Sequence, residues 1–466
     1  MRRTFLFLAL MAATALAAPD KFVCYLGSWA NYRTGNCRYT IENIDASICT
    51  HIIYGFVGIN PDASIRIMDA WLDDDSGLGG FRRFTGLKSK NSKLKALVAI
   101  GGWNEGSTTF SAVVSNASLR SKFTANAVAF VKKYGFDGFD LDWEYPAQRG
   151  GASTDKANFS KLLEEMRTAF NNAGLLLTAA VAACPPSIDT SYDIPQLNKY
   201  LDFINVMTYD MHGAWDPVTG HNAPLYPRAS ETGAAAAFSV DSCIKAWISR
   251  GAEAKKLILG TGTYGRTFTL SSSGNNNIGA PISGGGSAGQ CTGEMGILGY
   301  NEICQKIASG GWTVVWNNEQ QIPYAYNGNQ WIGYDNERSI TLKVDYAKTK
   351  GLGGIMVWSL ETDDFNGLCG KANILLNTIK TNLGLTGGGT STTTTTTTTT
   401  KSPTTAPVGT ICTTAEIVRD PNDCGAFYQC VSNGSGGFIA YRTQCAAGLY
   451  FDTVSKTCNY ANLVKC

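Results

Sequence analysis

The stretch FDGFDLDWEYP, residues 136–146, places four carboxylates (Asp137, Asp140, Asp142 and Glu144) within eight positions of a segment that otherwise reads as buried apolar strand. Successive side chains of an extended chain point to opposite sides, so Asp140, Asp142 and Glu144 share one face while Phe139, Leu141 and Trp143 take the other. A solvated acidic turn would not interleave Phe, Leu and Trp with the acids. Carboxylates crowded in low dielectric cannot all ionise, because each charge disfavours its neighbours. At least one proton is shared, which suits a general acid that must stay protonated near neutral pH. Glu144, last on the strand, is the candidate acid. Asp142 would stand roughly 7 Å behind it at ~3.3 Å per residue, with Asp140 a further step back to hold and relay the proton.

Working outward, runs rich in β-branched and aromatic residues at 22–29, 51–59, 95–103, 135–145, 175–183, 203–213, 257–266 and 353–360 alternate with segments of helical periodicity. Residues 118–134 and 155–174 are two such segments, the second ending at Gly174, a residue suited to a helix C-cap. Eight βα repeats predict an α/β chain folded as a (β/α)8 TIM barrel, with its chemistry at the C-terminal ends of the strands. In that fold the acid-bearing face of the fourth strand points into the barrel and the apolar face packs beneath the helices. The gap between the seventh and eighth strands is too long for one helix. Its Gly- and aromatic-rich residues, about 267–335, predict an inserted α+β subdomain that walls one side of a cleft.

The ends of the chain differ in kind. Residues 1–18 combine two arginines, an apolar run and the small-x-small pattern Ala15-Leu16-Ala17, as expected of a secretory signal peptide. The protein is accordingly expected outside the cell, where its fourteen cysteines can pair. Asn116, Asn158 and Asn433 head triplets that match N-glycan acceptors. Domain 19–385 is followed by a Thr-rich stretch, 386–410, which lacks the apolar content to order itself and reads as a linker, of a composition commonly O-glycosylated. Residues 411–466 carry six cysteines, Cys412, Cys424, Cys430, Cys445, Cys458 and Cys466, and form a small disulfide-stapled β module. Spacing alone leaves fifteen connectivities open. A formal charge of +2 gives no overall electrostatic case for a nucleic acid or a membrane surface as partner. Only three histidines are present, and no second cluster of ligands accompanies the acids, so neither a metal nor a cofactor is expected.

The large module resembles the family 18 glycoside hydrolases, in particular the animal chitinases. The likeness rests on FDGFDLDWEYP, on LVAIGGWN (97–104), VMTYDMHG (206–213), TYGRTF (263–268) and GGIMVWSL (353–360), each at the end of its strand. It implies hydrolysis of β-1,4 bonds between N-acetylglucosamine units, assisted by the substrate's own 2-acetamido group and retaining configuration. Glu144 would be acid and base, Asp142 would orient the acetamido group with Asp140 behind it, and Tyr209 would donate to the acetamido oxygen. Trp358 would floor the cleft at the scissile bond. Trp29, Trp71, Trp103, Trp215, Tyr145 and Met207 would line subsites, with hydrogen bonds from Asn104, Asp210 and Arg266 and close backbone approach at Gly102. Whether Tyr25, Phe56 and Tyr264 face sugar or core stays open. The resemblance also implies disulfides Cys24 with Cys49 and Cys304 with Cys369; it offers no counterpart for Cys37, Cys184, Cys243 and Cys291, which are even in number and allow two further bridges whose pairing stays open. Glu105 stands where relatives often carry an apolar residue, which places it to alter subsite preference.

Residues 424–458 resemble the peritrophin-A type chitin-binding domain, which implies pairs Cys412 with Cys430, Cys424 with Cys466 and Cys445 with Cys458. Phe427, Tyr428, Tyr441 and Tyr450 are its candidate sugar platforms. Chitin and its oligomers are thus the expected partners of a monomeric, endo-acting enzyme. A chitinase-like lectin that binds without cutting is the alternative, although the acid such lectins usually lose is present as Glu144.

Overall fold

The structure, a computed structural model, describes residues 18–385, 417–432, 438–445, 449–453, 457–460 and 464–465. Most of the expected leader, the linker, Cys412, Cys466 and the Asn433 triplet lie outside them. The chain divides into two units, Met1–Gly387 and Gly388–Cys466.

In the first unit, eight parallel strands close into a barrel: β1 (Lys21–Gly27), β2 (His51–Ile59), β3 (Lys95–Gly101), β4 (Gly138–Asp142), β5 (Leu176–Ala182), β6 (Phe203–Met207), β7 (Leu257–Gly262) and β8 (Gly354–Trp358). Each pairs with its sequence neighbours, and β1 pairs with both β2 and β8, so no barrel edge is left open. Phe139, Leu141 and Trp143 pack outward into the core shared with helices Ala117–Tyr134 and Asp155–Ala173. Trp143 stacks on Phe110 at 5.2 Å and meets Phe159 edge-on, while its indole N–H donates to Ser107. Inside the barrel a second apolar cluster, including Val23, Tyr25, Leu97, Phe203 and Met356, lies beneath the site. Asn158 is buried in helix Asp155–Ala173, donating to Thr154, which makes it unfit as a glycan acceptor in the folded protein. Among the described residues no helix is long and apolar enough to cross a membrane.

Several strands end earlier than the sequence pattern suggests. The run read as 203–213 stops at Met207, where the Thr208 hydroxyl donates to the Gly260 carbonyl and the chain turns into a loop with Asp210 at φ +57°. The run read as 257–266 is two elements. Thr263 separates them by donating its hydroxyl to the Ser359 carbonyl, and Tyr264–Leu270 leaves the barrel to join another sheet. That antiparallel sheet, ordered Ile282–Gly285, Tyr264–Leu270, Gln330–Gly333, Ile322–Asn327 and Thr313–Asn317, with Ile297–Gly299 also on Tyr264–Leu270, forms the α+β insertion together with helix Tyr300–Ala308. The third run, read to 103, stops at Gly101, where Gly101 and Gly102 take positive φ values that L side chains resist. A Cβ on Gly101 would lie 2.1 Å from the Asp142 carbonyl oxygen.

Four disulfides tie this unit: Cys24–Cys49, Cys304–Cys369, Cys37–Cys291 and Cys184–Cys243. The first two are the pairs that the family resemblance implies. Cys37–Cys291 joins the β1–β2 connection to the insertion across 254 residues, so it removes a large share of the unfolded chain's freedom. An ion pair without exposure sits beside the insertion: Lys343, on helix Glu337–Thr349, donates to both carboxylate oxygens of Asp335 at 2.7 and 2.6 Å. Ser339 adds a third hydrogen bond to the same carboxylate.

In the second unit, strands Ile417–Asp420, Asp423–Ser432 and Phe438–Gln444 form one antiparallel sheet and Leu449–Asp452 pairs with Thr457–Tyr460. Cys424, Cys430 and Cys445 are disulfide-bonded. The three pairings implied by resemblance each involve residues outside the described set or side chains not described.

Candidate active site

The acids of β4 and its exit form a column along the barrel interior. Asp140, fully buried, is held from three sides: its carboxylate accepts from Tyr25 at 2.7 Å, Thr178 at 2.5 Å and Asn205 at 3.3 Å. Burial still pushes it up to about 6, the three hydrogen bonds opposing that rise. Asp142 is buried one step nearer the rim, and its Oδ1 has no hydrogen-bond partner. Burial first, then the charges of Glu144 and Asp140, hold it well above the usual carboxylate range. Glu144 follows the strand end, half-buried. Burial raises it to about 7, Asp210 pushes the same way, and a Tyr145 hydrogen bond and the Arg149 charge oppose. Asp142 and Glu144 are raised together and act on one another, so the proton belongs to the pair.

Three side chains of the column's setting escape a reading of periodicity. Thr178 on β5 and Asn205 on β6 contact Asp140 only because neighbouring strands place them there. Tyr25, which could equally have faced sugar, is buried as the base of the column, its hydroxyl also accepting from Asn205 at 3.0 Å.

Across the barrel, Tyr209 and Met207 pack with Phe56 and Trp358 at the edge of the inner apolar cluster. The Tyr209 hydroxyl lies 3.7 Å from the Met356 sulfur, which is a weak acceptor, so the phenol keeps a strong hydrogen bond to offer. Asp210 is fixed by two donors, the Tyr264 hydroxyl and Arg266 Nε, both at 2.7 Å, while its backbone N–H donates to Asn222. Tyr264 is therefore buried support for Asp210 rather than a platform.

Aromatic rings gather above. Phe56 stacks between Trp29 and Trp358, at 6.3 and 5.7 Å, and Trp358 also meets Tyr25 at 5.7 Å. Trp29 (45% exposed), Trp103 (59%), Trp215 (59%) and Trp71 (64%) are exposed although such rings are usually covered. Arg266 lies over the Trp215 ring at 4.9 Å and Arg149 over Trp103 at 3.5 Å. Trp71 has no ring contact with the stack among the described residues, but Tyr32, on the turn that carries Trp29, bonds Asp69 beside it. Asn104 is exposed on the loop after β3. A Cβ on Gly102 would press on the Phe56 ring at 2.8 Å, so this glycine lets the loop pass the stack. Glu105 does not enter the subsites: it accepts from the Ile59 N–H and pairs with Arg66, its side chain 6% exposed.

In the small unit Phe427 stacks at 4.6 Å on the buried Phe451 and contributes to that unit's interior. Tyr428 is half-buried and Tyr450 exposed, whereas the Tyr441 side chain is outside the described set.

Residues 21–363 match the sequence pattern of the glycosyl hydrolases of family 18, and 412–466 that of the chitin binding peritrophin-A domain. The chain is 37% identical over 465 residues to chitotriosidase-1 of Mus musculus, with 95% of each chain covered. Among solved structures, the Ostrinia furnacalis group IV chitinase, in complex with allosamidin, matches with a TM-score of 0.77 and 46% identity over 78% of this chain and 99% of that one. Human YKL-39, a pseudo-chitinase with retained chitooligosaccharide binding, matches with a TM-score of 0.73 and 37% identity over 79% of this chain and all of that one.

Proposed function

Because the chain belongs to the glycosyl hydrolases of family 18 and carries a chitin-binding peritrophin-A domain, we propose that it is a secreted, endo-acting chitinase working by substrate-assisted retention. The observation that carries the reading is the complete, proton-sharing column Asp140–Asp142–Glu144. Glu144 gives its proton to the glycosidic oxygen as the bond from C1 to that oxygen breaks. The 2-acetamido carbonyl oxygen closes onto C1 from the opposite face, forming an oxazolinium ion. Asp142, whose Oδ1 is unpartnered, accepts the acetamido N–H and offsets the positive charge that develops there. Tyr209 donates to the acetamido oxygen, and Asp210 meets the sugar beside the cut. The Glu144 carboxylate then takes a proton from water, which attacks C1, reopens the ring and restores the original β configuration. The four disulfides of the barrel unit fit an oxidising, extracellular setting.

Products of N-acetylglucosamine hexamer, with anomers resolved at early times, test this. Short β-anomeric oligomers are expected. An intact hexamer that remains bound would instead make the protein a lectin, the state that YKL-39 shows is compatible with this fold.

The shared proton sets the pH response. Activity on soluble oligomers is expected to hold up to about pH 7 and then decline as Glu144 loses the proton it must donate. The Asp210 charge disfavours ionisation of Glu144, so Asp210→Asn makes the carboxylate form more readily. The decline in kcat/KM then moves to lower pH, and a profile with an unmoved alkaline limb would refute the coupling.

The chitin-binding domain raises the local concentration of enzyme at an insoluble surface without adding a contact in the cleft. Deleting residues 386–466 is expected to lower activity on crystalline chitin about tenfold or more while changing soluble-oligomer kinetics less than about twofold. Equal losses on both substrates would remove that role.

A further inference from the structure

The end of β3 and the loop after it, which carries Trp103, hold three glycines at positive φ, Gly101 (+114°), Gly102 (+78°) and Gly106 (+66°). Such a loop has backbone freedom to spare. It is nevertheless fastened on two sides. Glu105, four residues past the strand end, turns away from the cleft, accepts from the Ile59 N–H at 3.0 Å and pairs with Arg66 at 2.5 Å, which anchors the loop to the end of β2 and its hairpin Ile65–Ile67. On the other side stands Arg149, on the exit of β4. One of its nitrogens, Nη1, donates both to the Trp103 carbonyl at 2.8 Å and to the Glu144 carbonyl at 2.9 Å. The same guanidinium lies over the Trp103 ring, its Cζ 3.5 Å from the ring centroid. One face of the indole is thus covered by a cation while Trp103 as a residue remains 59% exposed.

Resting on the catalytic reading above, we propose that Arg149 and Glu105 are positioning residues that hold Trp103 as a fixed sugar platform and set its distance from Glu144. A free indole on a glycine loop would lose rotamer and backbone freedom on meeting a sugar, and that loss would weaken binding. Here the ordering is complete before the sugar arrives. Because one guanidinium grips the backbone of both Trp103 and Glu144, the platform and the acid move as one piece. A planar fork that hydrogen-bonds while stacking is a task for Arg rather than Lys. Glu105 therefore acts on subsite affinity from a distance, through the loop, and not by touching sugar.

A double-mutant cycle tests this in the full-length Glu144→Gln protein, where Arg149 has no catalytic carboxylate to influence, with N-acetylglucosamine hexamer as probe and Kd as readout. Arg149→Gln is expected to weaken binding about threefold to tenfold when Trp103 is present and less than about 1.5-fold in a Trp103→Ala background. Glu105→Gln follows the same pattern with a smaller loss, and Arg149→Lys recovers only part of the affinity. Equal fold-losses in both backgrounds, or no loss in either, would overturn the inference. Binding without cleavage by the Glu144 protein would defeat the proposed activity while leaving the cycle readable, whereas no binding at all would defeat both.

Discussion

Glu144→Gln should cut the turnover of N-acetylglucosamine hexamer by about 10³-fold, with hexamer affinity changed far less. Glutamine keeps the size and hydrogen-bonding of the side chain but cannot give up a proton to the leaving oxygen or take one from water. Both halves of the reaction stop. On the proposed mechanism the acetamido group can still approach C1 and the aromatic stack around Trp358 is still in place to hold the sugar, so binding is expected to survive. Early-time product analysis beside the unmodified protein reads the result. Near-normal turnover would show that the proton comes from elsewhere, and Asp142, raised by the same crowding, would become the donor to examine. Losing affinity and turnover together would mean that Glu144 holds sugar rather than performing chemistry.

Lys343→Met should destabilise the barrel unit by about 3–5 kcal/mol, because it strands the Asp335 carboxylate in a site with no exposure. Ser339 would then be its main remaining partner. The deficit should grow with pH: an orphaned buried carboxyl has a raised pKa, so at low pH it is protonated in both states and its cost disappears as it takes up a proton. Replacing both partners together, Lys343→Met with Asp335→Leu, should recover most of the loss, since a buried pair contributes little over a well-packed apolar pair. Urea melts at pH 5 and pH 8 check all three statements. A single variant as stable as the parent at pH 8 would mean that water reaches the site.

What the sequence discloses about this fold follows from where the governing interactions lie. The barrel and the acid column are legible because period-two alternation in FDGFDLDWEYP is local, and because a strand buried on both faces leaves acids only one side to occupy. Strand ends are less legible. The apolar run 257–266 is continuous, and nothing in it announces that Thr263 will bond the Ser359 carbonyl 96 residues away and divert the chain into the insertion. The base of the column is hidden for the same reason: Tyr25, Thr178 and Asn205 reach Asp140 from three other strands. Glu105 misleads in the opposite direction. Its neighbours in sequence, Trp103 and Asn104, suggest a sugar-facing role, but a charge that close to Arg66 finds a better partner in the scaffold.

The Cys37–Cys291 bond makes residues 37–291 a covalent ring, and strands β2 to β7 all lie within it. Cutting one peptide bond anywhere in that ring opens a loop but separates nothing: the two pieces remain a single molecule until the bond is reduced. The connections that carry the rims of strands β2 to β6 can therefore be nicked without releasing a fragment, and most of the barrel would still be held together to refold or to keep its shape.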